Sequence, residues 1–240
     1  MVFLPKWEEV IINGATKDIG KATVVAVMKA RGMEVAGAVD TQFVGQDIGK
    51  ICDMEEDLEI PIINDLTMVL GSISQQCHLI HGFCAYYVKG CLVAPILSIG
   101  SVLLQQAAIS ASFHYSNVEI VESRPNGSNL PTQDAVQIAK NISDLGQMYN
   151  REDLETDVRA RGQVLGDDGV RVHSLVLPGL TSSTLVHFSG PGEVYTIKHD
   201  ITNVQCLMPG LLLAIRKVVR LKGPKRTVEG NSRYAAVIDG

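Results

Sequence analysis

A strand, a glycine turn, a helix and a second strand follow one another near the start of this sequence, and this order constrains the fold most. Residues 9–13 form a short apolar segment that predicts a strand ending in a turn at Gly14. Residues 17–31 carry apolar side chains at helical spacing, and residues 33–39 predict a second strand that ends at Asp40. A β-α-β unit is typical of a parallel sheet, so the sequence predicts an α/β protein.

Helices and short strands continue to about residue 145, after which strands dominate. We predict a loop at 45–59, strands at 61–63, 91–94 and 118–121, and helices at 65–73, 98–113 and 132–145, the first of them capped by Asp65. Residues 170–177, 184–188 and 193–198 are β-rich and separated by Pro-Gly turns, which predicts a meander. A last helix is expected at about 209–221. The expected architecture is therefore α/β in the first part of the chain and rich in β-sheet in the second part.

The overall composition excludes several classes of protein. The 240 residues are 46% hydrophobic and 20% charged, which is ordinary for a globular fold with ample material for a core. The net charge of −5 argues against a nucleic-acid binder, and the short basic cluster at 216–226 is interpreted as a helix end whose cations complement the helix dipole. No apolar run reaches the ~18–20 residues that a membrane-spanning helix needs.

Targeting signals and cysteine usage indicate the compartment. The first six residues show neither a secretory nor a transit-peptide pattern, so the chain is interpreted as cytosolic or already processed. Five cysteines without a CxxC spacing indicate a reducing compartment. Zinc would accept four ligands from the cluster of Cys77, His78, His81, Cys84 and Cys91, but the spacing matches no common zinc module. We expect no metal site.

The glycine turn of the β-α-β unit is a candidate dinucleotide site. Residues 14–20 lie where dinucleotide folds hold phosphates, because free N–H groups and the helix dipole favour anions there. Asp40 follows Gly20 by twenty residues, at the position where a carboxylate accepts the ribose hydroxyls. The candidate cofactor-binding residues are Gly14, Ala15, Lys17, Asp18, Ile19, Gly20 and Asp40.

Two residues of this loop oppose cofactor binding. Lys17 stands where close approach of a phosphate favours glycine, although its charge could partly compensate, and Asp18 places a negative charge beside the expected pyrophosphate. Thr41 is not basic, so nothing obvious would hold a 2′-phosphate, and NADH is expected rather than NADPH. We expect weak or absent NAD(P)H binding. The loop also resembles that of short-chain dehydrogenases, but no tyrosine has a lysine four residues on, which excludes their chemistry.

Several segments in a fixed order resemble dihydrodipicolinate reductase (4-hydroxy-tetrahydrodipicolinate reductase) of the cyanobacterial and plastid type. They are Ile12-Asn-Gly-Ala15 with residues 19–21, Val35-Ala-Gly-Ala-Val-Asp40, Gly45-Gln-Asp-Ile-Gly49, Cys91-Leu-Val-Ala-Pro95 with residues 98–100, Gln105-Gln-Ala107, Val118-Glu-Ile-Val-Glu122, residues 169–174, Leu177-Pro-Gly-Leu180, Tyr195 with His199-Asp200, and residues 208–218. This collinearity is far more specific than any single motif.

The resemblance implies a fold, an activity and a location. It implies a shortened Rossmann-type parallel-sheet domain, assigned to residues 1–118 and 206–240, and an α+β open-sheet domain that makes tetramers, assigned to 119–205. It implies NAD(P)H-dependent reduction of a cyclic imine dicarboxylate, the small-molecule substrate, on the diaminopimelate route to lysine. Similarity to plastid members implies the chloroplast stroma, with a cytoplasmic location as the alternative.

The substrate region departs from the family pattern. After residues 118–122 the family carries a His-His pair, a lysine and Asp-Ala-Pro-Ser-Gly-Thr. In this chain Arg124 and Pro125 stand at the histidine positions, no lysine follows, and Thr132 and Asp134 fall within the altered Pro-Ser-Gly-Thr motif. Arg124 and Thr132 are the candidates left in this degenerate region, and Asp134 would repel a dicarboxylate. Loss of a general acid alone costs ~3–5 kcal/mol of barrier, so we assign no catalytic residue.

Further departures lie elsewhere in the chain. The stretch 73–90 is roughly forty residues shorter than a six-stranded Rossmann sheet needs. Ser182 and Val204 stand where the family usually has histidine and arginine. His173 is retained from a family motif, and structural hydrogen bonding explains it at least as well as a role in the site.

Two functional hypotheses remain open. The first is a reductase of lysine biosynthesis that is weak or inactive. The second is a non-catalytic paralogue with a protein partner, like the plastid reductase-like member needed for accumulation of the NAD(P)H dehydrogenase-like complex. Turns at Pro178-Gly179 and Pro191-Gly192 are retained although polar site residues are not. We therefore predict a folded homo-oligomer whose sheet face, residues 170–198, makes the subunit contact.

Overall fold

The computed structural model describes residues 8–73, 97–127, 129–151, 162–165, 169–220 and 234–235. Contacts divide the chain into two units. The first comprises Met1–Ala94 with Leu207–Gly240, and the second comprises Pro95–Cys206.

Helices and strands alternate in the first unit and at the start of the second, and four strands follow one another later in the chain. In chain order the elements are β1 (Glu8–Asn13), α1 (Asp18–Lys29), β2 (Met33–Val39), α2 (Ile48–Ile51), β3 (Ile62–Ile63), α3 (Leu66–Ile73), α4 (Ile99–Ser112), β4 (Asn117–Arg124), α5 (Gln133–Ser143), β5 (Gln163–Val164), β6 (Arg171–Val176), β7 (Ser182–Gly190), β8 (Glu193–Ile201), a 3-10 turn (Val204–Leu207), α6 (Met208–Arg220) and β9 (Tyr234–Ala235).

The first unit is built around a parallel sheet in the order β3-β2-β1-β9. β1 runs parallel to β2, with Glu8 opposite Met33 and Asn13 opposite Val39. Three successive residues of β1, Val10, Ile11 and Ile12, are buried, which is typical of a strand covered on both faces. The predicted β-α-β unit and its α/β class are therefore confirmed.

The last described helix of the first unit, α6, has one apolar face. α6 buries Met208, Leu211, Ile215 and Val218, which recur at helical spacing, and it packs against α1. The basic residues predicted to lie at a helix end include Lys217 and Arg220, and both are in its last turn, where the helix dipole favours cations.

The segment predicted as a loop at 45–59 contains a helical turn, α2. The Asp47 carboxylate organises it by accepting hydrogen bonds from the N–H groups of Gly49 at 2.7 Å and Lys50 at 3.3 Å. The same carboxylate accepts from the N–H groups of Leu58 at 3.2 Å and Ile60 at 2.8 Å. The loop prediction missed α2 because one side chain satisfies backbone donors at both ends of the segment.

The second unit contains a five-stranded mixed sheet in the order β5-β6-β4-β7-β8. β4 runs parallel to β6 and antiparallel to β7, and β7 forms an antiparallel hairpin with β8. The predicted meander is wrong, because β4 lies between β6 and β7. The turn at Pro178-Gly179 connects β6 to β7, which lie on opposite sides of β4. The turn at Pro191-Gly192 connects β7 to β8, which are adjacent in the sheet.

Helices α4 and α5 pack on this second sheet and share its core. The buried cluster joins helix and strand residues, namely Leu104, Ala108, Ala111, Val118, Ile120, Ala135, Ile138, Ala139, Ile142, Tyr149, Val170, Val172, Val186 and Phe188. Because α4 contributes to this core, the boundary between units lies at Pro95 rather than at the expected residue 119.

Some predicted features lie outside the described residues. They are the strand at 91–94 and the cysteine and histidine cluster at 77–91.

Candidate functional site

The glycine loop between β1 and α1 has the backbone geometry of a close-packed turn. Gly14 has a φ of 75°, a conformation that favours glycine, and its N–H donates to the Val39 carbonyl at 2.8 Å. A Cβ at Gly20 would lie 2.1 Å from the Gly14 carbonyl oxygen, so a side chain there cannot fit. These two glycines therefore set the approach of α1 to the strand, which is one role of glycine in dinucleotide loops.

Asp40 at the end of β2 is held by Thr16, a loop residue that the sequence pattern did not single out. One carboxylate oxygen accepts from the Thr16 N–H at 3.0 Å and from its hydroxyl at 2.7 Å, and the other accepts from the Gln42 N–H at 3.2 Å. Burial alone would raise the pKa of Asp40, but these bonds and one from the Thr41 N–H hold it below its usual value. Asp40 therefore remains an anionic acceptor, and a hydroxyl residue two positions after Gly14 was the available signal.

Lys17 and Asp18 place opposite charges at the first turn of α1. Both side chains are exposed, and the backbone of Lys17 forms the N-cap. The Lys17 Cδ atom lies 3.6 Å from the point that a Cβ on Gly14 would occupy, so the side chain folds across the loop. Asp18 lies in the first helical turn, where its negative charge interacts favourably with the helix dipole but would repel a bound phosphate. Ala15 is buried and Ile19 half-buried behind them.

Arg124 ends β4 with both terminal nitrogens of its guanidinium engaged within the protein. Nη1 donates to the carbonyls of Ser123 at 2.8 Å and Ser183. Nη2 donates to the hydroxyls of Thr132 at 2.9 Å and Thr184 at 3.1 Å. The side chain is only 12% exposed. The guanidinium is therefore buried among hydrogen-bond acceptors rather than directed at solvent.

The charge of Arg124 is balanced by Glu122, whose side chain is fully buried. Arg124 Nη2 lies 3.3 Å from a Glu122 carboxylate oxygen. That carboxylate also accepts from the hydroxyl and N–H of Thr132 and from the Ser174 hydroxyl. Thr132 in turn caps α5 by accepting from the Ala135 N–H at 3.5 Å. We call Glu122, Arg124, Thr132, Ser174 and Thr184 the Glu122 network, and its charges neutralise each other.

Asp134 lies in the first turn of α5 and is engaged by a neighbouring helix. Its carboxylate accepts from the Ser101 hydroxyl at 2.9 Å. The His199 ring lies between two serines, with Nδ1 3.4 Å from Ser101 Oγ and Nε2 3.4 Å from Ser98 Oγ. A Cβ at Gly100 would lie 2.3 Å from His199 Nε2, which explains glycine at that position. These contacts join α4, α5 and β8.

His173 has a structural role in the second sheet. Its Nδ1 accepts from the Gly162 N–H at 3.1 Å, so in the neutral ring the proton lies on Nε2. Nε2 lies 2.6 Å from a Glu119 carboxylate oxygen and donates to it. Ser182 begins β7, and Val204 begins the 3-10 turn before α6.

Metal and membrane chemistry find no support in the part of the chain that the structure describes. Within the described ranges, no group of three or more metal-ligating side chains converges. None of the described helices is long and apolar enough to cross a membrane.

Comparison with known sequences identifies the family. A sequence profile described as "Dihydrodipicolinate reductase, C-terminus" matches residues 100–230. The 4-hydroxy-tetrahydrodipicolinate reductase of Mastigocladus laminosus is 34% identical, over 89% of this chain and 94% of that protein. The chain belongs to the dihydrodipicolinate reductase family. The resemblance inferred from the sequence is thus confirmed.

A second relative within the family carries a different name. "Dihydrodipicolinate reductase-like protein CRR1, chloroplastic" of Arabidopsis thaliana is 60% identical, over 89% of this chain and 85% of that protein. The alignment runs over 254 positions, more than the 240 residues of this chain, so some positions of the relative have no counterpart in it. That difference agrees in direction with the expected shortening.

A solved structure supports the fold. The dipicolinate-bound dihydrodipicolinate reductase of Paenisporosarcina sp. TG-14 superimposes with a TM-score of 0.67 at 23% identity, covering 90% of this chain and 96% of that chain. The predicted Rossmann-type sheet followed by an open sheet is confirmed at the level of the fold.

Proposed function

We propose that this chain is a non-catalytic member of the dihydrodipicolinate reductase family that works by binding another protein. Its role is that of an assembly factor for the plastid NAD(P)H dehydrogenase-like complex. The single observation that carries the loss of catalysis is the Glu122 network. It lies in the segment where the family pattern places its histidines and its substrate-binding Ser-Gly-Thr.

The network leaves this segment without a proton donor. Delivery of a hydride to a carbon–nitrogen double bond requires a proton for the nitrogen. Arg124 cannot supply one, because a guanidinium does not lose its proton in a protein. Pro125 has no ionisable group. Neither Arg124 nor Pro125 can therefore act as the general acid in place of the family's histidines.

The network also leaves this segment without a cation for the substrate. Both terminal nitrogens of Arg124 already have two acceptors each, and the Glu122 carboxylate neutralises its charge. Releasing the guanidinium to a dicarboxylate would leave a buried carboxylate uncompensated, which costs about 3–5 kcal/mol by analogy with broken buried ion pairs. Asp134, two residues after Thr132, adds a further negative charge.

The relatives support the location and the non-catalytic role. The protein that is 60% identical is named reductase-like and chloroplastic, whereas the Mastigocladus laminosus protein named as a reductase is 34% identical. That difference supports a plastid location and a role other than lysine synthesis. The specific partner, the NAD(P)H dehydrogenase-like complex, rests on the resemblance to the plastid reductase-like member.

A second candidate is a weak NAD(P)H-dependent reductase of lysine synthesis. The geometry of Gly14 and Gly20 and the anionic Asp40 favour it, since they fit the turn and the ribose position of a dinucleotide. Bound NAD(P)H would supply the hydride. Lys17 and Asp18 do not fit the pyrophosphate, so only part of the cofactor is accommodated.

Complementation separates the two candidates. In a bacterial strain that lacks the reductase and needs diaminopimelate, we expect this chain not to restore growth, while the Mastigocladus laminosus reductase does. In a host line without this protein, the plastid complex should be depleted while lysine content is normal, and the wild-type chain should restore the complex. Growth of the bacterial strain without diaminopimelate, at equal protein level, contradicts the proposal.

A further inference from the structure

Two Asn-Gly dipeptides occur in the sequence, Asn13-Gly14 and Asn126-Gly127. Asparagine is a chemically labile residue, because the backbone nitrogen of the next residue can attack its side-chain amide. Glycine hinders this attack least, since it has no Cβ. The attack also requires a backbone that can move into the reactive geometry and an N–H that is not held in a hydrogen bond. The two dipeptides are therefore distinguished by their structural surroundings.

Asn13-Gly14 is held by the first sheet. Asn13 is the last residue of β1 and lies opposite Val39 of β2. The Gly14 N–H donates to the Val39 carbonyl at 2.8 Å, and the φ of Gly14 is fixed at 75° by the turn that follows. The nitrogen that would have to attack Asn13 is thus already engaged. This dipeptide can react only when the turn opens.

Asn126-Gly127 lies in the loop after β4, and both residues are exposed. The Leu177 N–H donates to the Arg124 carbonyl at 3.1 Å, so this backbone bond ends before the dipeptide begins. None of the hydrogen bonds formed between described residues engages the Gly127 N–H. A Cβ at Gly127 would lie 3.4 Å from Val176 Cγ1, an ordinary contact, so packing does not require glycine there.

We propose that Asn126 is a site of spontaneous deamidation, where the side-chain amide becomes a carboxylate. The Gly127 nitrogen attacks Cγ of Asn126, a bond from that nitrogen to Cγ forms, and the bond from Cγ to Nδ2 breaks. Nδ2 leaves as ammonia with the proton from the Gly127 nitrogen. Water then opens the cyclic imide at either of its carbonyls, which gives aspartate or isoaspartate. Water is the co-reactant, and nothing is oxidised or reduced. This inference does not depend on the proposed protein-binding role.

The reaction would change the end of the second sheet. β4 and β6 are parallel, with Arg124 opposite Val176, so Asn126 lies just beyond the carboxyl end of β4. The neighbours of Val176 on β6 and after it, Leu175 and Leu177, are 54% and 56% exposed. Deamidation places a negative charge in the loop beside this apolar segment. Isoaspartate also lengthens the loop backbone by a methylene group, so both the charge and the path of the loop change.

Incubation of the purified full chain at mildly alkaline pH, followed by peptide mass mapping, tests the proposal. We expect the peptide that contains Asn126 to gain the mass difference between an amide and a carboxylate. Chromatography should separate its aspartate and isoaspartate forms. The peptide that contains Asn13 should stay unchanged over the same period. The rate at Asn126 should rise with pH, because the attacking backbone nitrogen has to lose its proton.

Variants and unfolding separate the chemistry from the fold. Gly127→Ala should slow the reaction at Asn126 severalfold or more, because the added methyl group hinders ring closure. It should unfold at the wild-type temperature or slightly above it, since the position has room for a Cβ. Asn126→Gln should remove the reaction at this position, because a longer side chain forms the ring far more slowly. In urea, where the turn at Gly14 is open, Asn13 should react as fast as Asn126.

Three results would overturn the proposal. The first is an Asn126 that stays an amide in the folded chain while both asparagines react in urea. The second is an Asn13 that reacts in the folded chain as fast as Asn126. The third is a Gly127→Ala variant that reacts at the wild-type rate.

Discussion

Replacing Arg124 by methionine tests whether the Glu122 network is a closed structural unit. The Glu122 side chain is 0% exposed and that of Arg124 is 12% exposed, so the pair is shielded from water. The variant leaves the buried carboxylate with hydroxyl and N–H donors alone. Removing one partner of a buried ion pair costs about 3–5 kcal/mol, and we expect a loss of that size in the free energy of unfolding.

Urea unfolding of the full chain, followed by far-ultraviolet circular dichroism, measures the effect. The double variant Glu122→Gln with Arg124→Met should recover part of the loss, since no charge is then left buried, and the two changes should couple by about 0.5–3 kcal/mol. Lys198→Met is the matched control. It breaks the exposed Lys198–Asp200 pair, whose side chains are 52% and 38% exposed, and should cost at most about 1 kcal/mol.

Two results would contradict a closed network: a cost of Arg124→Met no larger than that of the Lys198 control, or single changes that simply add in the double variant. Either result would mean that the guanidinium is not committed to Glu122. It would then be free to meet a substrate carboxylate.

Three further predictions concern other parts of the molecule. Replacing Lys17 by glycine and Asp18 by asparagine should tighten NADH binding in calorimetry, because the phosphates can then approach the backbone. Unchanged affinity would mean that these two residues are not the cause of weak binding. Light scattering should show that the wild type is an oligomer and that Val194→Glu, which places a charge at a 71% exposed position of β8, dissociates it. A monomeric wild type, or an oligomer of unchanged size in the variant, would contradict the predicted contact. Burial raises the pKa of Asp47, but N–H groups of Leu58, Ile60, Gly49 and Lys50 outweigh it and hold the pKa below its usual value. Its stabilisation should therefore be present above about pH 4 and be lost as the pH falls through the lowered pKa, so the stability gap between wild type and Asp47→Asn should narrow steadily in acid; a gap that does not narrow as the pH falls below about 4 refutes this.

The periodic parts of the fold could be predicted from the sequence. Apolar spacing located both ends of β1, α1 and β2 to within two residues, and it located the ends of α4, α5 and α6 equally well. These elements are set by which side chains face a core, as with Leu211, Ile215 and Val218 on α6, and that information is local.

The failures have non-local causes. The meander was wrong because β4, some fifty residues earlier in the chain than β6, inserts between β6 and β7, and turn residues do not reveal such an insertion. The helical turn α2 depends on one carboxylate, that of Asp47, reaching donors at Leu58 and Ile60. Side-chain hydrogen bonds across such separations leave no periodic signal.

The candidate site was predictable in part. Arg124 and Thr132 were predicted to be what remains of a degenerate substrate region, and the structure brings them within 2.9 Å of each other. Arg124 is not free to contact a substrate carboxylate in this arrangement. The guanidinium pairs instead with the carboxylate of the buried Glu122, which lies two residues earlier on the same strand. The two side chains can meet because residues i and i+2 lie on one face of β4.

Turnover of the purified full chain with the lysine-pathway substrate tests the central claim most directly. Oxidation of NADH and of NADPH should be followed by absorbance, with the Mastigocladus laminosus reductase measured beside it. We predict that this chain oxidises neither cofactor faster than a sample without protein. Turnover in the usual enzyme range of ~1–10³ s⁻¹ would show that the chain is a working reductase and contradict the account.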